Sequence, residues 1–100
     1  MAAEVRVVAH IATRPGRGDD LVRMWGPLSE QVHAEDGCLV YDLHRVLDDP
    51  DRFTVLERWS SREALAAHGA SAHMQQFRAD RAELVAGDPQ VLVLEDDPVA

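Results

Sequence analysis

The stretch Cys38-Leu-Val-Tyr-Asp-Leu-His-Arg-Val-Leu47, followed by Asp48-Asp-Pro-Asp51 and then Phe53-Thr-Val-Leu-Glu-Arg-Trp59, reads as two strands joined by a tight turn. Short runs rich in β-branched and aromatic residues mark the strands, and the cluster of Asp and Pro between them is turn chemistry. In the first strand the alternation puts Leu39, Tyr41 and Leu43 on one side and Cys38, Val40, His44 and Val46 on the other. A hairpin at the middle of the chain is thus the fixed point from which both directions are read.

Upstream, Val5 to Thr13 carries β-branched and small residues without helical spacing, and Pro15-Gly16-Arg17-Gly18 punctuates it, which predicts a strand and a turn. Asp19 and Asp20 suit the first turn of a helix, where negative charge meets the positive end of the dipole. Leu21, Trp25, Leu28 and Val32 then recur at helical spacing on one face. Pro27 removes a hydrogen bond from that helix and predicts a kink, and Gly37 ends the element.

Downstream, Ser60 and Glu63 have the spacing of a capping box opening a short helix with Leu65 and His68, which Gly69 breaks. Ser71 caps a second stretch with Met74, Phe77, Arg81 and Leu84 along one face, Gly87-Asp88-Pro89 stops it, and Val91 to Leu94 is a last strand. The order β-α-β-β-α-β, with the second helix split, predicts an α+β fold: a ferredoxin-like sandwich of four antiparallel strands with the helices on one face. Its strands are apolar on both faces, as in Val5, Val7, Ala9 and Ile11 against Val8 and Ala12. Helices cover one face only, so a second copy of the sheet is expected on the other, giving a homodimer.

With 100 residues, 46% hydrophobic and 28% charged, the chain has the size and composition of a single globular domain spanning residues 1–100. No apolar run is long enough to cross a bilayer, which argues against a membrane protein. A net charge of -8 with no concentrated basic patch argues against nucleic acid as a partner. All ten basic residues are arginine, and the absence of lysine closes Schiff-base chemistry. One cysteine, Cys38, permits no internal disulfide and fits a reducing compartment, and the N-terminal segment lacks the pattern of a secretory signal, so a cytoplasmic location is expected.

Five histidines invite a metal reading, yet His68 and His73 stand five apart with Gly69 between them, whereas helical ligand pairs sit four apart. No metal site is expected from that spacing. There is no Gly-x-Ser-x-Gly elbow, and Cys38 reads as core rather than nucleophile. Gly16-x-Gly18 precedes a helix as phosphate loops do, but Asp19 and Asp20 follow at once and would repel a phosphate. The remaining set is Trp25, Tyr41, Trp59, His68, His73 and Phe77, aimed at the space between sheet and helices. A split helix leaves room for a cleft, and aromatic walls with few polar groups suit a flat organic ligand. Glu57, between Val55 and Trp59, adds a buried carboxylate whose plainer reading is a salt bridge to an arginine.

The runs Arg14-Pro-Gly-Arg-Gly18, Ala34-Glu-Asp-Gly-Cys-Leu-Val-Tyr41, Asp49-Pro-Asp-Arg-Phe53, Leu56-Glu-Arg-Trp59, Ala64-Leu-Ala-Ala-His68 and Ser71-Ala-His-Met74 resemble the antibiotic biosynthesis monooxygenase family. The resemblance implies a dimeric α+β barrel and oxygenation of a phenol, quinol or polycyclic aromatic by molecular oxygen without metal, flavin or haem. Haem-degrading members use an asparagine, a tryptophan and a haem-ligating histidine. This chain has no asparagine, and Arg78 stands at the place of that histidine, which disfavours haem degradation. Quinol oxidases and isomerases of the same fold rely on histidines and a tyrosine near the cleft, the types supplied here by His68, His73 and Tyr41.

The expected mechanism places a phenolic substrate between Trp59 and the aromatics of the helical layer, with Trp25, Phe77 and Glu57 lining its site. His68 or His73 removes the hydroxyl proton, since imidazole titrates nearest neutrality, and Tyr41 holds the substrate oxygen or the reduced oxygen. A cofactor-free isomerase of a small keto substrate, or a dimeric module that only binds a ligand, are the alternative readings.

Overall fold

The computed structural model describes residues 3–100. The elements are β1 (Val5–Ala12), α1 (Gly18–His33), β2 (Cys38–Arg45), β3 (Arg52–Trp59), α2 (Arg62–Ala70), α3 (Ala72–Arg81) and β4 (Gln90–Glu95). The four strands form one antiparallel sheet in the order β2-β3-β1-β4, so the central hairpin lies at one side and β4 at the other edge. This is the ferredoxin-like α+β arrangement. Val5, Val7, Ala9 and Ile11 of β1 and Phe53, Val55 and Trp59 of β3 point to the helical side and are buried there. From α1 the stripe Leu21, Trp25, Leu28 and Val32 meets them, as its spacing predicts.

Three local expectations are corrected. A bulge between Cys38 and Val40 makes Leu39 an extra residue, so Tyr41 and Leu43 share the helix-facing side while Leu39 is exposed. Helix α1 takes Pro27 within its length, on its exposed face opposite the buried stripe, as the sequence places it. The cap of α2 is Ser61 rather than Ser60: Ser60 is still tied to the sheet through its N–H to Gly37 O at 2.8 Å, while Ser61 Oγ accepts from Ala64 N–H at 3.0 Å. Nor does Gly69 split the helix, because α2 continues to Ala70 and the break falls at Ser71, whose backbone is extended. The Ser71 hydroxyl donates to His68 O at 2.7 Å and accepts from Met74 N–H at 3.3 Å, closing one helix and opening the next.

The Gly16-x-Gly18 turn does hold an anion, but an internal one. Asp51, from the β2–β3 turn, accepts from Gly16 N–H at 2.9 Å and from Gly18 N–H at 3.0 Å. Those N–H groups hold its carboxyl below the usual carboxylate range. A Cβ at Gly18 would come within 2.1 Å of Pro50 O, so the hairpin turn and the start of α1 meet where only glycine fits. The sequence pattern of a phosphate loop here serves to dock the central hairpin onto the first helix.

Candidate active site

Between the sheet and the α2–α3 break lies a cavity of about 300 Å³, at the lower end of the roughly 300–1,000 Å³ usual for small-molecule sites. Its polar lining comes from Tyr41, Glu57, His68, Arg78 and Arg81, and its apolar walls include Trp25, Met74 and the edge-strand residues Val91 and Val93. The sequence-predicted residues divide here. Tyr41, Glu57, His68 and Trp25 line the cavity, whereas Trp59, His73 and Phe77 do not.

His68 is held on two sides. Its ring lies 4.6 Å from that of Trp59, tilted by 36°, and 5.4 Å from that of Tyr41. Its Nδ1 is 2.9 Å from Oε2 of Glu35, which arrives from the loop between α1 and β2. With Glu35 ionised, Nδ1 carries the hydrogen and donates it, and Nε2 is left with its lone pair and no protein partner among the described residues. His73 Nε2 reaches the same Glu35 Oε2, also at 2.9 Å, from the first turn of α3, and faces an outer groove between α1 and α3 rather than the cavity.

Trp59 is completely buried and gives its Nε1–H to Glu57 Oε1 at 2.9 Å. It has no face left for a ligand; it supports His68 instead. The partner of Glu57 is therefore an indole rather than an arginine. Burial pushes the Glu57 carboxyl up, against smaller opposing effects of the Trp59 hydrogen bond and of His68. Burial, reinforced by the Glu57 charge, also raises the Tyr41 phenol, so Tyr41 is a neutral hydroxyl and a donor rather than a base. Cys38 is pushed up to about 11, chiefly by burial, and is a thiol rather than a nucleophile.

Trp25 stacks on Tyr41 with ring centres 5.4 Å apart and planes 9° from parallel, and meets the Phe77 ring edge-on. Phe77 thus shapes the wall from behind. The buried Nε1–H of Trp25 has no acceptor among the described residues, and a donor left so in a native structure calls for a partner such as water or a ligand.

Three charged residues, Arg78, Arg81 and Glu35, were missed by sequence reasoning. Arg81 enters the cavity from the end of α3, its guanidinium 5.6 Å from the Phe77 ring centre. Its place on the stripe Met74, Phe77, Arg81, Leu84 was the available signal, since a charge on the inward face of a helix calls for a partner. Glu35 gave no signal: it lies in a loop, and only the fold brings it to the two histidines.

The model of a family described as "Antibiotic biosynthesis monooxygenase" matches residues 4–80. The Mycobacterium tuberculosis protein named "Putative monooxygenase Rv0793" is 34% identical over 94 residues, which are 94% of this chain and 92% of that one. Its solved structure superposes with a TM-score of 0.85 at 32% identity, covering 98% of this chain and 100% of that one. "Putative monooxygenase YcnE" of Bacillus subtilis is 29% identical over 87 residues, 87% of this chain and 92% of the relative. A crystal structure from Caulobacter crescentus, described as a putative antibiotic biosynthesis monooxygenase, superposes with a TM-score of 0.90 at 28% identity over 97% of this chain and 92% of that one.

Proposed function

Since the chain belongs to the antibiotic biosynthesis monooxygenase family, we propose that it is a monooxygenase that needs no metal, flavin or haem and oxidises a phenolic, quinol or polycyclic aromatic substrate with molecular oxygen. The observation that carries this reading is the setting of His68: Nδ1 fixed by Glu35, Nε2 without a protein partner, and the ring at the wall of an aromatic-lined cavity. His68 is the base, Glu35 the residue that positions it, and Tyr41 the hydroxyl that holds an oxygen. His73 acts through Glu35 rather than on substrate.

Nε2 of His68 takes the phenolic proton, and the resulting anion is stabilised by the Arg81 guanidinium across a cavity with mostly apolar walls. The anion gives one electron to oxygen, and recombination of the two radicals forms a C–O bond and, with the proton returned from His68, a hydroperoxide. Loss of the remaining C–H proton and cleavage of the O–O bond leave a carbonyl and water. One oxygen atom enters the product, the other leaves as water, and the substrate supplies all the electrons. The protein contributes orientation and a positioned base.

A homodimer is part of this reading. Val8, Leu56, Leu92 and Leu94 share the sheet face away from the helices, where the three leucines are exposed. A second copy packed on that face removes them from water. Among the described residues no helix is long and apolar enough to cross a membrane, in keeping with a cytoplasmic enzyme.

The cofactor-free isomerase remains the second reading, favoured by one observation: Glu57, held towards its protonated form by burial, shares the cavity with His68, and such a pair can move a proton between two carbons. Oxygen uptake by metal-stripped protein, measured with a panel of quinols and anthrones against an enzyme-free control and repeated with ¹⁸O₂, separates the two. Label in the product carbonyl with one oxygen consumed per turnover is expected. Turnover of a keto substrate without oxygen uptake would establish the isomerase in its place.

A further inference from the structure

The cluster made by Glu35, His68 and His73 has a capacity that the proposed oxygenation does not use. Glu35 Oε2 stands 2.9 Å from His68 Nδ1 and 2.9 Å from His73 Nε2, and the three donor atoms lie within 4.8 Å of one another. They come from three elements: the α1–β2 loop, the last turn of α2 and the first turn of α3. His68 and Glu35 are largely buried and His73 is partly so. The sequence spacing of the two histidines is uninformative here, because the break at Ser71 turns the chain between them and brings both rings to one carboxylate.

We propose that Glu35 Oε2, His68 Nδ1 and His73 Nε2 form a binding site for a divalent transition-metal ion of the Zn²⁺ class, and that its occupancy silences the base in the cavity. Two imidazoles and a carboxylate are the donor set of borderline ions, with a fourth position open to water. With bonds of about 2.0–2.2 Å to such an ion, donor atoms on a tetrahedron stand about 3.4 Å apart, so each ring withdraws from Oε2 by about 0.5 Å while the two nitrogens, within 4.8 Å of each other, settle at the same spacing. The ion replaces the two hydrogens that the imidazoles donate to Glu35. A path exists on the side of His73, which lines the outer groove with Met24, Leu28 and Gln31.

The coupling follows from the two nitrogens of one ring. While Nδ1 donates to Glu35, Nε2 is an acceptor facing the cavity. A metal ion on Nδ1 takes that lone pair, and the neutral imidazole then keeps its hydrogen on Nε2, which turns from acceptor to donor. The cavity thereby loses its base. This second half rests on the reading of His68 as the base; the binding site itself does not.

Titration of metal-stripped protein with Co²⁺ followed by its visible absorption, and with Zn²⁺ by calorimetry, tests the site directly. One equivalent per chain is expected, with tetrahedral cobalt bands displaced by Zn²⁺. Binding should be lost in His73→Ala and in Glu35→Ala and kept in His33→Ala, with circular dichroism and melting curves confirming that each variant is folded. Should Glu35→Ala fail to fold, His73→Ala and His73→Gln carry the test. Cobalt bands unchanged in the His73 variants would overturn the site.

In turnover of an active quinol, saturating Zn²⁺ should slow the wild type by about 100-fold, the low end of what a positioned base contributes. The rate of His73→Ala, whatever its basal value, should not respond to the same Zn²⁺. A wild type that binds one Zn²⁺ and keeps its full rate would overturn the coupling. If no quinol or anthrone is turned over, the proposed oxygenation fails, and the cobalt titration still decides the site.

Discussion

Strands β3 and β4 flank β1 on either side and carry the same alternation of large apolar residues, yet their fates differ. Phe53 and Trp59 of β3 are 1% and 0% exposed, whereas Val91 and Val93 of β4, which point to the same side of the sheet, are 57% and 56% exposed. The difference lies in cover rather than composition: α1 and α2 pack over the β2–β3 side, and none of the helices seals the β4 edge. One side of the sheet holds the fold together. The other is free to form the wall of a cavity and a surface for a second chain.

The contrast predicts unequal costs for similar truncations. Phe53→Ala should lower unfolding free energy by about 3–5 kcal/mol, the range for a buried aromatic that leaves a cavity. Val91→Ala, at an exposed edge position, should stay within about 0.5 kcal/mol. Urea denaturation of both variants checks this, and a Val91→Ala cost equal to that of Phe53→Ala would mean that the β4 edge is sealed after all.

A smaller effect is expected from a charge on the outer face. Leu92→Glu should weaken self-association by about 2 kcal/mol or more, as for a central interface residue, and leave a folded monomer. Light scattering of the wild type should give twice the 11.1 kDa of one chain. A Leu92→Glu variant that stays dimeric would move the interface elsewhere.

The smallest effect concerns Glu57 on the sealed strand. Its carboxyl lies above its ordinary value of 4.5, mainly through burial, so the folded chain holds this proton to higher pH than the unfolded chain does. The stability it contributes is complete below that ordinary value and is lost as pH rises through the raised one. Glu57→Gln, which does not titrate and keeps an acceptor for the Trp59 indole, should melt at the same temperature as the wild type in acid. At neutral pH it should melt a few degrees higher, given about 4–8 °C per kcal/mol for a domain of this size. A gap that shrinks as pH rises would contradict the buried-carboxylate account.

Much of the fold was legible because its signals are local. The stripe Leu21, Trp25, Leu28, Val32 and the Asp-Pro turn between the hairpin strands each announce one element, and their order leaves few topologies. The bulge at Leu39 and the shift of the cap from Ser60 to Ser61 were not legible, since each depends on which neighbour a backbone group finds. The site was half legible. Tyr41, Glu57 and His68 stand on faces that alternation or helical spacing assigns to the interior, but Trp59 is as apolar in pattern as any ligand-stacking residue and proves to be covered by His68. Glu35 lies outside every periodic pattern and owes its place to the fold alone.

The central claim, that His68 is a base aimed into the cavity by Glu35, is tested most directly by the oxygen uptake of His68→Gln on a quinol or anthrone that the wild type oxidises, with the enzyme-free rate subtracted. The account predicts a fall of about 10²-fold to 10⁴-fold in kcat, with the fold retained by circular dichroism. A folded His68→Gln that oxidises the same substrate at the wild-type rate would contradict it.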